Sequence, residues 1–360
     1  MALGYTMDSV LGSAEIINAV VARVLASDKV QDRIIWKDYL NPKTTNPDGT
    51  FKTFYGTKTG VIVGSLMDRY SNKPIRKQYP LQKGYGEVAT LGETYQFDNA
   101  RLEELQNLIN YYNLHNLPEN AELIVEFLQD DIRQAFLAPH KRMDLMLSDL
   151  KFTGTAATRS NVDEYGVKIN KIKLPISIAT PEASQQDTFI TYFGQLVEEY
   201  RNNGIDVAIA EMSRATFSQY IANCEEFKNR FAIRFGSYEM QSGGLITPAQ
   251  ANELLEALQI PITIRLVSEY ITTQDKKTTS NIPTKKIALL PDEKLGSLRW
   301  KYPYEWTDRI PNKTYCEQDN GQYIATQRTE EGRFIEYGCE WIVEIDKPNR
   351  MAIVDLSNFS

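Results

Sequence analysis

The chain has 360 residues, an apolar fraction of 42% and a formal net charge of −7. This length allows two or three domains, and the apolar fraction is ample for sizeable cores, so a disordered chain is excluded. The acidic balance argues against a dedicated nucleic-acid binder, because such a protein gains its affinity by neutralising phosphates.

Membrane spans, signal peptides and disulfides are not expected either. The sequence contains no run of about 18 apolar residues, and its first residues, MALGYTMDSV, lack the basic and apolar regions of a signal peptide. Cys224, Cys316 and Cys339 lie far apart and form no CxxC pair. We therefore expect a cytosolic origin and three reduced thiols rather than a disulfide framework or a zinc site.

The N-terminal residues 8–26 predict one amphipathic helix, because their apolar side chains recur at helical spacing. Two interpretations stay open: the helix packs on the core of its own domain, or it is an arm that reaches a neighbouring subunit. Residues 41–50 are dense in Pro, Asn, Asp and Gly, which indicates irregular chain and a boundary near residue 50.

An extended hairpin is predicted over residues 51–97, which are rich in Gly, Tyr, Thr and Lys and hold only short apolar runs. Its basic and aromatic side chains are Arg69, Tyr70, Lys73, Arg76, Lys77, Tyr79, Lys83 and Tyr85. Such a mixture can bind a nucleic-acid backbone and stack bases, whereas the alternative is a solvent-exposed or subunit-contacting loop. A hairpin with so little to bury needs an external partner.

Two helices follow, a shorter one over residues 98–113 and a long amphipathic one over residues 118–155. Pro139 interrupts the second pattern, because proline lacks a backbone donor and clashes with the preceding turn. We therefore expect a kink, or two helices in line, over residues 137–141. This long element would form a spine for the molecule.

The second half of the chain alternates between β and α patterns. A β-segment is predicted over residues 162–179, and a helix–strand–helix–helix–strand pattern over 187–267 indicates an α/β module. Residues 270–320 form a long irregular stretch with a tryptophan–tyrosine group, and such stretches are usually functional or contact a partner. Strands over 333–345 and 351–356 predict a C-terminal hairpin.

Motifs for catalysis or metal binding are missing from the sequence. There are only two histidines, His115 and His140, and there is no HExxH, GxxxxGK[ST], GxGxxG or EF-hand pattern. Adjacent acids such as Asp130 and Asp131 point in different directions on a helix. We therefore predict that the chain is not an enzyme and has no cofactor and no metal site, which favours a structural or interaction protein.

Four matches carry a resemblance to a known family: LMLSDLKFTGTAA at 145–157, NGIDVAIAEMSRATFSQY at 203–220, ITIRLVSEYI at 262–271 followed by a polar loop and IPTKKIALLPDEKLGSLRW at 282–300, and FIEYGCEWIVEIDKPNRMAIVDL at 334–356. In this order they resemble the major capsid proteins of tailed bacteriophages, which have the Hong Kong 97-type fold, and among them the lambda-type capsid family.

The resemblance implies an α+β, Hong Kong 97-like capsid fold with four parts. These are an N-terminal arm over residues 1–50, an extended loop over 51–98, a peripheral domain over 99–185 and 325–360 that carries the spine helix, and an inserted α/β axial domain over 186–324.

The resemblance also implies a structural function: self-assembly as hexamers and pentamers into an icosahedral phage head that encloses double-stranded DNA. The expected location is the virion capsid, assembled in the bacterial host cytoplasm. The expected partners are further copies of the chain, a separate scaffold, a portal, decoration proteins and non-specifically contacted DNA, with no membrane. Two alternatives stay open: a nucleic-acid-associated protein using the basic-aromatic loop 69–85, and an encapsulin-like compartment shell.

Three groups of residues are expected to contact neighbouring subunits. The extended loop contributes Arg69, Tyr70, Lys73, Arg76, Lys77 and Tyr79; the spine face contributes Asp130, Asp131 and Arg133; and the axial loop contributes Lys276 and Lys277. The carboxylates of the spine face are expected to meet the basic side chains of a neighbour's loop.

Overall fold

The computed structural model describes residues 6–56, 81–115, 121–157, 171–235, 246–272 and 277–360. The helices are α1 Met7–Leu11, α2 Ala14–Leu25, α3 Trp36–Tyr39, α4 Asn99–His115, α5 Ala121–Thr153, α6 Phe189–Asn202, α7 Arg214–Thr216, α8 Glu225–Phe235, α9 Pro248–Ala257 and α10 Tyr304–Thr307.

The strands of the first half are β1 Leu40–Thr44, β2 Thr50–Gly56, β3 Leu81–Glu87, β4 Ala89–Gln96, β5 Thr155–Ala157, β6 Lys171–Lys173 and β7 Ser177–Ala179. Those of the second half are β8 Ile209–Met212, β9 Thr263–Leu266, β10 Tyr270–Thr272, β11 Thr278–Ser280, β12 Lys286–Leu290, β13 Gly296–Lys301, β14 Lys313–Glu317, β15 Tyr323–Thr329, β16 Gly332–Ile345 and β17 Ala352–Asp355.

The first of two compact units contains residues 1–51, 86–145 and 297–344. Its sheet has the order β1–β13–β16–β15–β14, and β4 pairs with β16 as a sixth strand. The core of this unit is formed by side chains of α1, α2, α4, the first part of α5 and the sheet, such as Val20, Ile124 and Ile324. Burial of these apolar side chains is the main stabilising contribution.

The N-terminal segment forms two helices instead of the predicted single one. Ser13 interrupts the helical pattern and caps α2, because its hydroxyl accepts a hydrogen bond from the Ile16 amide. Val20, Val21 and Val24 of α2 are buried in the core of the same unit. Of the two interpretations of this segment, packing on its own core is therefore the one that the structure shows for α2.

The second unit contains residues 52–85, 146–296 and 345–360. Its sheet has the order β7–β17–β12–β8–β9. Strand β12 is antiparallel to β17 and β8, whereas the outer pairs β17–β7 and β8–β9 are parallel. Helices α6, α8 and α9 contribute Phe193, Phe227 and Leu254 to its core. The predicted module of helix, strand, helix, helix and strand is present in α6 to β9 with one more helix than expected, because three helices, α7, α8 and α9, lie between the two strands.

Two predictions for the second half of the chain are wrong. Residues 270–320 are not one irregular stretch, because they contain β10 to β14 and α10. Strands this short show no sustained alternation of apolar and polar residues, so the sequence pattern does not indicate them. The last two strands do not form a hairpin: β16 pairs with β15 and β4, whereas β17 pairs with β12 and β7. The turn Pro348–Arg350 thus leads the chain into a different sheet.

The spine element is one helix of 33 residues, α5. Of the two predicted alternatives, a kink or two helices in line, the second is therefore wrong, whereas the kink stays a prediction. Pro139 cannot donate to the carbonyl of Ala135 four residues earlier. That acceptor is instead satisfied from the residue before β15, because Nε2 of the buried Gln322 lies 3.4 Å from the Ala135 oxygen and 3.1 Å from the Phe136 oxygen. A side-chain amide therefore replaces the missing backbone donor.

Replacing Gln322 with leucine is expected to lower the free energy of unfolding by about 1–3 kcal/mol, because it leaves a buried carbonyl without a donor. In a Pro139→Ala background the new backbone amide can donate to Ala135, so the same change should cost clearly less. Urea unfolding of the four variants measures this coupling. Equal costs in both backgrounds would show that Gln322 does not compensate for the proline.

Candidate interaction surface

Aromatic side chains cluster around β13, α10, β14 and β15 of the first unit. The side chains in contact are Trp300, Tyr302, Trp306, Arg309, Tyr315 and Tyr323. We call these residues, together with the exposed Tyr304 of α10, the aromatic surface. The sequence signal at residues 300–306 marks only part of it, because Tyr315 and Tyr323 join it through the pairing of β14 with β15. Tyr315 in β14 and Tyr323 in β15 could have been added to the group only if the pairing of these two strands had been predicted from the sequence.

Trp306 is the centre of this surface. Its ring stacks with Tyr302 at a centroid distance of 6.3 Å and with Tyr323 at 6.4 Å. The guanidinium carbon of Arg309 lies 4.0 Å from the Trp306 ring centroid, within cation–π range. Tyr302 and Tyr304 are 43% and 73% exposed. The surface therefore combines the residue types that dominate binding energy at protein interfaces.

A carboxylate beneath the rings fixes their positions. Oε1 of Glu305 accepts hydrogen bonds from Lys313 at 2.8 Å and from the Tyr315 hydroxyl at 2.7 Å, while Oε2 accepts one from the Tyr323 hydroxyl at 2.8 Å. Burial alone would raise the pKa of Glu305, but these three donors outweigh it and hold that pKa below its usual value. Glu305 thus stays ionised at neutral pH and orients both tyrosines.

Two glycines leave the space that the rings fill. Gly338 faces Tyr323 across the β15–β16 pair, and a Cβ atom there would lie 2.5 Å from the Tyr323 ring. Gly321 has a φ of +72°, and a Cβ atom there would lie 3.0 Å from the Trp300 ring. Both rings therefore lie against bare backbone, which only glycine permits.

Replacing Gly338 with alanine is expected to displace the Tyr323 ring and to cost about 1–3 kcal/mol of stability, the usual range for overpacking. The change should also alter the fluorescence of the stacked Trp306. Urea unfolding and emission spectra measure the two effects. In a Tyr323→Ala background the same substitution should cost little, and an undiminished cost there would mean that the ring contact is not the cause.

The hairpin β2–β3 begins in a well-ordered turn. The Asp48 carboxylate accepts hydrogen bonds from the Thr50 amide at 2.9 Å and the Thr50 hydroxyl at 2.8 Å, which lowers the pKa of Asp48. Phe51 covers Gly86, where a Cβ atom would lie 2.3 Å from its ring, and the Arg299 guanidinium lies 5.1 Å from the same ring. The residues at the base of the hairpin therefore have fixed positions.

Most of the predicted contact residues lie outside the described residues, namely Arg69, Tyr70, Lys73, Arg76, Lys77, Tyr79 and Lys276. Lys277 is exposed, immediately before β11. The structure therefore does not decide the role of the extended loop, and its contacts stay a prediction.

The three predicted residues of the spine face differ in environment. Arg133 is hydrogen-bonded to the buried Asp32 of the same unit. Asp131 lies 3.1 Å from Arg101 and is half-buried; burial raises its pKa more than Arg101 lowers it. Asp130 is exposed. Their contact with a neighbouring subunit stays a prediction, and Asp130 is the one whose side chain remains open to it.

Metal and membrane sites were also sought in the described part of the chain. There, no group of three or more His, Cys, Asp and Glu side chains is placed to hold a metal ion. Among the same residues, no helix combines the length and apolarity that crossing a bilayer requires. The three cysteines are buried free thiols, and burial raises the pKa of Cys316 and Cys339.

Comparison with known proteins gives a likeness in structure. Neither a protein-family model nor a curated protein matches the chain. Its fold is similar to that of a protein assigned as the capsid protein of a prophage of Escherichia coli CFT073, with a TM-score of 0.55 and 10% identity over 95% of this chain and 99% of that chain.

A second solved structure, a phage-related protein from Bordetella bronchiseptica RB50, has a TM-score of 0.52 and 8% identity over 95% of this chain and 98% of that one. The predicted mixed helix–sheet fold of phage capsid type is therefore confirmed. At such identities the likeness concerns the fold, and function needs a separate argument.

Proposed function

We propose that this chain is a major capsid protein, a structural subunit that assembles as hexamers and pentamers into an icosahedral head around double-stranded DNA. The observation that carries the proposal is the extent of the likeness to the prophage capsid protein, which covers 95% of this chain and 99% of that chain. Nearly every element thus has a counterpart, so the likeness is not confined to one common motif.

The proposed parts are those expected from the sequence: an arm over residues 1–50, an extended loop over 51–98, a peripheral domain over 99–185 and 325–360, and an axial domain over 186–324. The paired strands β2 and β3 support the extended loop. The compact units divide the chain at other positions, with residues 297–324 in the first unit and 345–360 in the second.

The proposed partners are further copies of the chain, a separate scaffold, a portal, decoration proteins and DNA, with assembly in the cytoplasm of a bacterial host. In this proposal the loop residues Arg69, Tyr70, Lys73, Arg76, Lys77 and Tyr79, together with Asp130 and Lys276, contact neighbouring subunits. The net charge of −7 supports a container that does not trap its DNA, because like charges repel across the inner wall.

The experiment is expression of the full chain, with its scaffold if one is required, followed by sedimentation and electron microscopy. The unmodified chain should form closed shells. A variant with residues 57–80 replaced by a short Gly-Ser linker should fold but remain as small species, because the extended loop is missing. A Gly-Ser replacement of residues 236–245, a segment that holds none of the proposed contact residues, serves as the control and should still assemble. Monomers alone from the unmodified chain would contradict the proposal.

The content of the shells separates the alternatives. Packaged DNA supports a phage head, whereas a packaged protein supports an encapsulin-like compartment. A nucleic-acid-associated protein would instead show salt-dependent DNA binding without assembly, lost when Arg69, Arg76 and Lys77 are changed to alanine.

A further inference from the structure

We propose that the aromatic surface is the docking site for the basic segment 57–80 of a second copy of this chain. This inference rests on the proposed function, since it names the partner of an assembly contact. The occupant is chosen from chemistry that both segments carry in the sequence and from the environment of the aromatic side chains.

The aromatic surface exposes several large side chains to solvent. Tyr304 is 73% exposed, Tyr302 is 43% exposed, and the neighbouring Ile310 is 46% exposed. Large aromatic side chains exposed together on a rigid support mark interaction sites more reliably than scattered apolar residues do. A partner that covers these rings removes apolar area from water while their hydroxyl groups keep polar contacts.

Hydrogen bonds within the chain hold the side chains of the aromatic surface in place before a partner binds. The Tyr315 and Tyr323 hydroxyls are held by Glu305, and Lys313 Nζ bridges Glu305 at 2.8 Å and Glu336 at 2.5 Å. Side chains that are fixed in the free chain lose little conformational freedom on binding. The ordering cost of docking therefore falls mainly on the incoming segment.

The aromatic surface and segment 57–80 carry opposite charges. Residues 302–319, which include most of the surface, hold four acidic and two basic side chains, whereas residues 57–80 hold five basic side chains and one acidic. Two of the acids lie among the rings: Asp308 accepts a hydrogen bond from the Tyr304 hydroxyl and Glu317 one from the Tyr302 hydroxyl, both at 2.8 Å. Both are exposed.

The carboxylates and exposed rings of the aromatic surface together favour a partner that is both basic and aromatic. Lysine and arginine side chains can form ion pairs with the carboxylates and stack on the aromatic rings. Segment 57–80 supplies Arg69, Arg76 and Lys77 together with Tyr70 and Tyr79. A contact between opposite potentials also speeds association and disfavours wrong partners.

Crosslinking in a mixture of two full-length variants tests the docking directly. One carries Tyr304→Cys and the other carries Lys77→Cys, while the three native cysteines are buried. After mixing under assembly conditions and mild oxidation, we expect a disulfide-linked heterodimer on a non-reducing gel. Replacing Tyr304→Cys by Thr329→Cys, at the exposed end of β15, is the control and should give at least tenfold less product.

Charge reversal provides the second measurement. Asp308→Lys with Glu317→Lys should reduce the rate of assembly at least tenfold, and Arg76→Glu with Lys77→Glu in the same chain should restore much of it. Reversal of both sides restores the attraction, so rescue distinguishes contact from misfolding.

The outcomes separate this inference from the proposed function. Shells that form without the heterodimer overturn the docking site and leave the capsid proposal intact. If the chain carrying both cysteines forms the disulfide only within one molecule, the partner is not a second copy and the inference is also wrong. A chain that never assembles contradicts the proposed function, while the crosslink in the concentrated mixture still decides the docking.

Discussion

Replacing Lys151 with methionine is expected to lower the free energy of unfolding by about 3–5 kcal/mol, because the change removes the cation that lies between two buried carboxylates, Glu211 and Glu269. Lys151 is fully buried, and its Nζ lies 3.0 Å from Glu211 Oε2 and 3.7 Å from Glu269 Oε1. The partly exposed Arg265 also lies 2.5 Å from Glu211, so Glu211 contacts a second cation. Urea unfolding measures the loss.

Two further variants define the cause. Lys286→Met removes a partly exposed lysine that lies 3.5 Å from Asp355 in the same unit, and we expect a loss below about 1 kcal/mol. Combining Lys151→Met with Glu269→Gln should recover part of the stability, since one uncompensated charge is removed. A Lys151→Met variant as stable as the control would show that the cluster does not depend on its central cation.

Acidification from pH 7 to pH 5 is expected to remove about 2 kcal/mol of stability through His140 alone. This side chain is fully buried among the rings of Trp36, Phe136 and Trp341, and Nδ1 accepts a hydrogen bond from Trp36 Nε1 at 3.1 Å. Burial, and then the charges of Lys37 and Lys141, lower its pKa from 6.5 to about 3.

The direction of the effect follows from proton binding. Between about pH 6.5 and pH 3 the unfolded chain carries a proton on His140 that the folded chain does not, so acidification favours unfolding. Carboxylates with lowered pKa values, such as Glu226, act only below about pH 4.5. The loss between pH 7 and pH 5 therefore reports on histidine.

His140→Gln should remove this pH dependence while keeping an acceptor for Trp36. His115→Gln, at the only other histidine of the chain, should leave it unchanged. Urea-unfolding curves at pH 7, 6 and 5 for the three proteins provide the comparison. If the free energy of unfolding of the His140→Gln variant falls between pH 7 and pH 5 as much as that of the unmodified chain, other groups cause the pH dependence.

Helices with a long apolar period could be predicted from the sequence, because their burial depends on spacing within one segment. The stripes of α5 and α6 are of this kind, and both helices are present near the expected bounds. The continuity of α5 could not be predicted, because the donor that replaces the amide of Pro139 comes from Gln322, far along the chain. Local rules describe the cost of a proline but not a distant compensation.

For the aromatic surface too, the local sequence predicts one part, and contacts between distant segments determine the rest. Trp300 to Trp306 could be identified as an aromatic group, but the roles of Tyr323 and Gly338 depend on the register between β15 and β16. The spine face was identified from its charges alone, and strand pairing and helix packing then supply Arg101 and Asp32 as partners within the unit. Side-chain partners between distant segments require the tertiary structure.

The placement of the four tryptophans makes the aromatic surface an optical reporter. Trp36 and Trp341 are fully buried, whereas Trp300 and Trp306 are only partly covered. A water-soluble quencher such as iodide will therefore reach chiefly the latter pair. Loss of quenching during association would reveal, without any label, when this face becomes covered, and Trp306→Phe would remove most of that signal.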